Sequence, residues 1–291
     1  MPFLTLNFEL GALAAQRAED ACVGAGALAV TLSDARDEPV LEPAPGEVRL
    51  WSSTRVQALF DAEADRSALT TRLQRELALA PGALSFALLP DRVWEREWLQ
   101  DFHALRFGRR LWICPWHEQV TEDGAIVVRL DPGLAFGTGT HPSTALCLQW
   151  LDAGLVPGSK VIDYGCGSGI LALAATRLGA SQVTAFDIDP QALLATEQNA
   201  AANDVGAQLQ LCTDARLLPA GCDLLLANII ATTLCALAPE IAALVRTGGK
   251  LLLAGILADQ AEVVAAVYAP WFDIGQYEAR ADWVALAGTR R

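Results

Sequence analysis

Alternation opens the chain. "FLTLNFEL" at 3–10 sets Leu4, Leu6, Phe8 and Leu10 to one side and Thr5, Asn7 and Glu9 to the other, the period-two pattern of a half-buried strand. "ALAVTLSDA" (27–35) reads as a second strand, with a helical "AAQRAEDACVGA" between the two. The turn-rich "DEPVLEPAPGE" follows, then a third strand near "VRLWSSTRVQALF", a helix through "DRSALTTRLQRELALA" and a strand "LSFALLP". The order is βαββαβ, which predicts a small α+β ferredoxin-like domain over residues 1–91. Such a fold names no function by itself. "DRVWEREWLQDFHALRFGRRLWICP", rich in tryptophan and charge, reads as a helix and a strand in a linker over 92–130, its aromatics packing at an interface.

Beyond residue 131 the pattern changes. Strands at "VIDYG", "VTAFDID", "LQLC", "DLLLANI" and "GKLLLAG" alternate with helices, which predicts an α/β doubly wound, Rossmann-like sheet over 131–291. The last two strands, "WFDIGQYEAR" and "DWVALAG", are too close for a helical crossover. They should form a terminal antiparallel hairpin, placing an antiparallel strand in an otherwise parallel sheet.

Size and charge narrow this picture only a little. At 291 residues the chain is long enough for two domains. The longest apolar stretch, "LLLANIIATTLCALA" at 224–238, is too short and too polar to span a membrane, and no basic region precedes the apolar N-terminus as in a signal peptide. A cytoplasmic location and no membrane partner are expected. Seven scattered cysteines without a C-x-x-C pair fit buried thiols in a reducing compartment better than disulfides or zinc, so no metal is expected. The net charge of −13 is shared, with 13 basic against 19 acidic residues up to 130 and 8 against 15 beyond it. No basic face is advertised, so no direct nucleic-acid binding is expected. A monomer is expected too.

The chemistry concentrates at strand ends. After the first strand of the second domain comes Asp163-Tyr-Gly165-Cys-Gly167-Ser-Gly169, then an apolar helix. Glycines allow close backbone approach and positive φ, and a helix start offers N–H groups to a carboxylate or phosphate. Ile170 stands where the dinucleotide fingerprint needs its last glycine, which weakens a nicotinamide reading. Asp187 ends the second strand, 187 − 165 = 22 residues past the first glycine, where such folds place an acid for ribose hydroxyls. Asp214 follows the third strand, within reach of an adenine amino group, and Asn228 ends the fourth. Four polar positions in register argue against simple turn residues.

These motifs resemble a known family. "VIDYGCGSGILALAA" with the downstream "DIDP" is similar to the S-adenosylmethionine site of class I methyltransferases, and "DPGLAFGTGTHPST" with "ANII" resembles specifically the PrmA family of bacterial ribosomal-protein methyltransferases, over the whole chain. The resemblance implies S-adenosyl-L-methionine as cofactor and ribosomal protein L11 as the protein substrate, methylated on lysine side chains or its N-terminal α-amine. It implies that the loop through Phe136, Gly137 and Gly139 folds over the cofactor, with Thr140, Thr144, Asp163, Gly165, Gly167, Asp187, Ile188, Asp214 and Asn228 around it. Asn228 is also the candidate for orienting the acceptor amine, although Ile229 and Ile230 follow it where related amino methyltransferases carry N-P-P-[YF]. His141 is a candidate proton acceptor, or a structural residue beside a helix start. The rivals are an NAD-dependent oxidoreductase and a cofactor-binding interaction module without turnover.

Overall fold

The computed structural model describes residues 2–36, 50–89, 103–130 and 139–291. The chain divides into two compact units, Met1–Trp94 and Glu95–Arg291.

In the first unit β1 (Phe3–Glu9), β2 (Ala29–Asp34), β3 (Thr54–Asp61) and β4 (Ser85–Leu89) form one antiparallel sheet in the order β2-β3-β1-β4, and α1 (Ala15–Gly24) and α2 (Arg66–Leu77) complete the βαββαβ chain order. The alternation has its expected effect. Leu4, Leu6 and Phe8 of β1 and Val56, Ala58 and Phe60 of β3 are buried together with Leu69, Leu73 and Leu77 of α2. Asp65 starts α2 by accepting from the Ser67 and Ala68 amides, and Ala78 ends it in the left-handed region.

The second unit begins with residues expected to be a linker. Instead β5 (Leu105–Phe107), β6 (Leu111–Cys114) and β7 (Ile126–Arg129) form a three-stranded sheet. Phe107, Leu111, Ile113, Val128 and Leu130 are buried in one cluster with the helices that follow, because five large apolar side chains would not stay on a solvated tether. Buried polar groups tie the sheet down. Asn203 is fully buried and exchanges two hydrogen bonds with the Arg129 backbone, accepting at 2.7 Å and donating at 2.6 Å, as a neighbouring strand would. The helix expected just before these strands falls largely outside the described residues.

Seven strands follow in the order β10-β9-β8-β11-β12-β14-β13, where β8 is Lys160–Tyr164, β9 Gln182–Phe186, β10 Leu209–Cys212, β11 Cys222–Asn228, β12 Val245–Leu257, β13 Phe272–Arg280 and β14 Trp283–Arg290. The terminal hairpin forms as expected. β14 runs antiparallel between β12 and β13. Successive residues of the central strands face opposite layers: Val161, Leu224 and Leu226 pack in the cluster holding α3 (Pro142–Gly154) and α4 (Ile170–Arg177), whereas Ile162, Leu225 and Ala227 pack in the one holding α6 (Ala231–Leu244) and α7 (Ala261–Tyr268). With α5 (Pro190–Ala202) these helices cover both faces. Burial on both sides explains the unbroken apolar run "LLLA" in β11. The expected helix between β10 and β11 is replaced by a 3-10 turn at Ala215–Leu217, since Pro219 and Gly221 shorten the room for regular structure. Strand order reverses between β8 and β11, and a crevice opens at their carboxyl ends.

Candidate active site

The glycine loop leaves β8 and is shaped by three positive φ angles, +80° at Gly165, +55° at Gly167 and +79° at Gly169. A Cβ on Gly165 would lie 2.5 Å from Ile229 Cγ2, and one on Gly169 would lie 2.6 Å from Thr196 Cγ2. Only glycine satisfies both conditions. From α5, Thr196 Oγ1 donates to the Gly167 carbonyl at 3.0 Å and Asn199 Nδ2 to the Ser168 carbonyl at 2.9 Å, so side chains absent from the sequence reading hold the loop. The amides of the three glycines and of Cys166 are already engaged within the protein. Gly165 and Cys166 donate to the Phe186 carbonyl, Gly167 to Asp187 Oδ2 and Gly169 to the Cys166 carbonyl. The glycines therefore serve close approach more than N–H donation.

A cleft of about 1040 Å³ opens above the loop, and Thr144, Gly165, Gly167, Asp187, Asn228 and the rim residues Ile188 and Asp214 line it. Asp187 is anchored by the Gly167 and Asp189 amides, each at 3.0 Å. Ile188 beside it is 85% exposed, an apolar surface left without protein cover. Asp214 caps the 3-10 turn and holds the Arg216 guanidinium through two nitrogens, which keeps its carboxyl ionised with a pKa of about 2. Asn228 Nδ2 donates to Thr144 Oγ1 at 3.2 Å across 84 residues of chain. That bond turns the amide so that its oxygen is the atom left to accept.

Other expected residues lie elsewhere. Asp163 is not in the cleft wall: it is buried beneath the loop, where Oδ2 accepts from the Ala172 amide at 3.0 Å while Oδ1 has no hydrogen-bond partner among the described residues. Burial pushes its pKa up to about 7 against the pull of that amide, and the Asp187 charge adds to the rise. His141 also lies outside the wall. It is the N-cap of α3, with Nδ1 accepting from the Ser143 amide and lying 2.7 Å from Ser143 Oγ, and its ring meets Trp283 edge-on at 4.6 Å. Burial pushes its pKa down, which favours the neutral, accepting imidazole. Thr140 is exposed just before α3 and does not line the cleft. Phe136 and Gly137 lie outside the described residues. Gly139 is buried with φ +84°, and a Cβ there would come within 3.3 Å of Ile170.

The sequence reading missed the wall on the α6 side. Thr233, Leu237 and Glu240, spaced by four and three residues, present one helix face to the cleft, opposite Tyr164 and Phe186. The two rings lie 4.6 Å apart, and Tyr164 Oη donates to Glu240 Oε1 at 3.0 Å. Burial and the Glu240 charge raise the Tyr164 pKa, so the hydroxyl stays a donor. The helical spacing was there to be read, but nothing in the sequence says which face of α6 looks onto the crevice.

Comparison with known proteins meets this geometry from another side. A family model described as ribosomal protein L11 methyltransferase (PrmA) matches residues 2–291. The chain is 48% identical over 293 residues to a ribosomal protein L11 methyltransferase of Alkalilimnicola ehrlichii, covering 100% of both chains, and 47% identical over 292 residues to one of Klebsiella pneumoniae, again covering 100% of both. A crystal structure of a ribosomal protein L11 methylase from Lactobacillus delbrueckii subsp. bulgaricus aligns over 65% of this chain and 100% of its own, with 33% identity and a TM-score of 0.60. A match running through both units and through the residues gathered at the cleft leads to one conclusion: the chain belongs to the ribosomal protein L11 methyltransferase (PrmA) family.

Proposed function

We propose that this protein transfers methyl groups from S-adenosylmethionine to amino groups of ribosomal protein L11, on lysine side chains or the N-terminal α-amine. The observation that carries the reading is the convergence of Thr144, Gly165, Asp187 and Asn228, from four separate segments, on one cleft at the sheet's switch point. The residues present fit the donor. Asp187 offers a fixed carboxylate to a ribose diol, exposed Ile188 offers an apolar face to an adenine, and Gly165 removes the Cβ that would block close approach. Asp214 is assigned to the adenine end, although Arg216 already occupies its carboxylate.

The donor, when bound, supplies an electrophilic methyl group on a positively charged sulfur. The chain's own task is to hold an amine in line with it and unprotonated, and positioning can carry most of the rate. Asn228 is suited to the first part, since Thr144 takes its N–H and leaves its oxygen to accept from an amine. An α-amine, with pKa about 7.7–8.0, is nearly ready at neutral pH, whereas lysine at about 10.4 needs an environment that disfavours the ammonium. The apolar Ile229 and Ile230 beside Asn228 supply part of that environment. The first unit, read as a ferredoxin-like domain, is assigned to recognition of the protein substrate; its own core, and the location in the second unit of every cleft residue among the described residues, support this division.

The test is direct. The purified protein is incubated with radiolabelled S-adenosylmethionine and ribosomal proteins from cells lacking the enzyme. Label in L11 alone is expected; label elsewhere, or none, defeats the assignment.

A further inference from the structure

The corner after Asn228 carries more than the asparagine. Ile229 is wedged between two glycines: its Cγ2 occupies the space a Gly165 side chain would need, and its backbone passes 2.6–3.1 Å from where a Gly255 Cβ would stand. Both glycines have positive φ, +80° and +77°, and Gly255 sits where β12 shifts register against β14. The direction of the next residue is therefore set by packed backbone. That residue is Ile230. It is the N-cap of α6, where it makes no side-chain cap, as at the starts of α1, α4 and α7 and unlike Asp65, His141 and Asp189 at those of α2, α3 and α5. It is also 53% exposed and belongs to neither hydrophobic cluster of the second unit, yet it lines the cleft beside Asn228. An isoleucine that neither caps nor packs is a local inconsistency of the kind found at functional sites.

We infer that Ile230 is the specificity contact for the acceptor amine: its side chain is the wall on which the amine's methylene stem lies while Asn228 holds the nitrogen. The inference rests on the proposed amine methylation. It assigns the two exposed isoleucines of the cleft to different ligands, Ile188 beside Asp187 to the donor and Ile230 beside Asn228 to the acceptor. An unbranched aliphatic stem suits such a wall, and a desolvated stem also disfavours charge on its amine.

n-Butylamine copies a lysine side chain, and ethylamine lacks two of its methylenes. Full burial of one methylene is worth about fourfold in affinity, so contact along one wall predicts a preference for butylamine of about four- to tenfold. Binding of both amines to the protein saturated with S-adenosylhomocysteine can be read by ligand-observed NMR, without turnover. In Ile230→Ser the preference should fall below about twofold and the KM for L11 rise with donor affinity kept, while Ile230→Leu should restore both. Serine is a good N-cap, so Ile230→Ser should melt no lower than the wild type. A preference unchanged in Ile230→Ser overturns the inference, as does a lowered melting temperature with lost donor binding, which would mark Ile230 as packing. If the wild type shows the preference but labels no L11, the protein-substrate assignment fails and the wall stands.

Discussion

Asp163→Asn tests the electrostatics beneath the glycine loop. The carboxyl is buried, one oxygen has no partner, and its pKa is raised from 3.8 to about 7. An acid whose folded pKa lies above its unfolded one holds its proton longer in the native state. The native protein therefore loses stability as pH rises from about 4 to about 7, and the loss is complete above that. At roughly 1.4 kcal/mol per pH unit, that interval removes about 4 kcal/mol. The amide cannot ionise, so it escapes this loss and keeps an acceptor for the Ala172 amide. It also buries an N–H group where Oδ1 now lacks a partner, at a cost of about 1–3 kcal/mol. The variant should be less stable than the wild type in acid, cross it between about pH 4.5 and 6, and be more stable by about 1–3 kcal/mol above pH 7. Urea melts from pH 5 to 8.5, above the isoelectric point of about 4.6, would show it. The difference between variant and wild type should grow by about 2 kcal/mol between pH 5 and pH 7. A difference that stays flat across this range would refute a buried, titrating Asp163.

Asp187→Ala should weaken S-adenosylmethionine binding about ten- to a hundredfold by calorimetry, through lost hydrogen bonds to a carboxylate; unchanged affinity would remove Asp187 from the donor site. Thr144→Val takes away the acceptor that orients Asn228, so the rate of methyl transfer should drop at least about tenfold, with Thr144→Ser recovering most of it. Asn203→Ala leaves the Arg129 amide and carbonyl without their partners, which should lower the stability of the second unit by about 2–4 kcal/mol in denaturant melts while donor affinity in the folded protein is kept. A fragment starting at Glu95 should fold and bind donor without methylating L11, whereas one starting at Asp123 lacks Phe107, Leu111 and Ile113 and should fail to fold by circular dichroism.

The parts of this protein that depend on near neighbours were open to a reader of the sequence. Alternation marked β1 and β3, apolar runs marked the central strands, the short spacing of β13 and β14 announced a hairpin, and the glycines of 165–169 marked a loop needing positive φ. The strand-end rule then brought Asp187, Asp214 and Asn228 to one crevice, because a doubly wound sheet aligns the ends of its strands whatever the loops contain. Partners were another matter. Whether Asp163 faces a ligand or a helix start, whether Asp214 is free or held by Arg216, and whether His141 is a base or a cap depends on which atoms the packed chain brings within about 3 Å. Residues 103–130 carried the features of a linker, and only the core they share with α3 and α4 made them part of the second unit. Thr144 and Asn228 are separated by 84 residues. No local period relates such a pair; packing of α3 against the sheet does, because close packing leaves the two side chains a single arrangement.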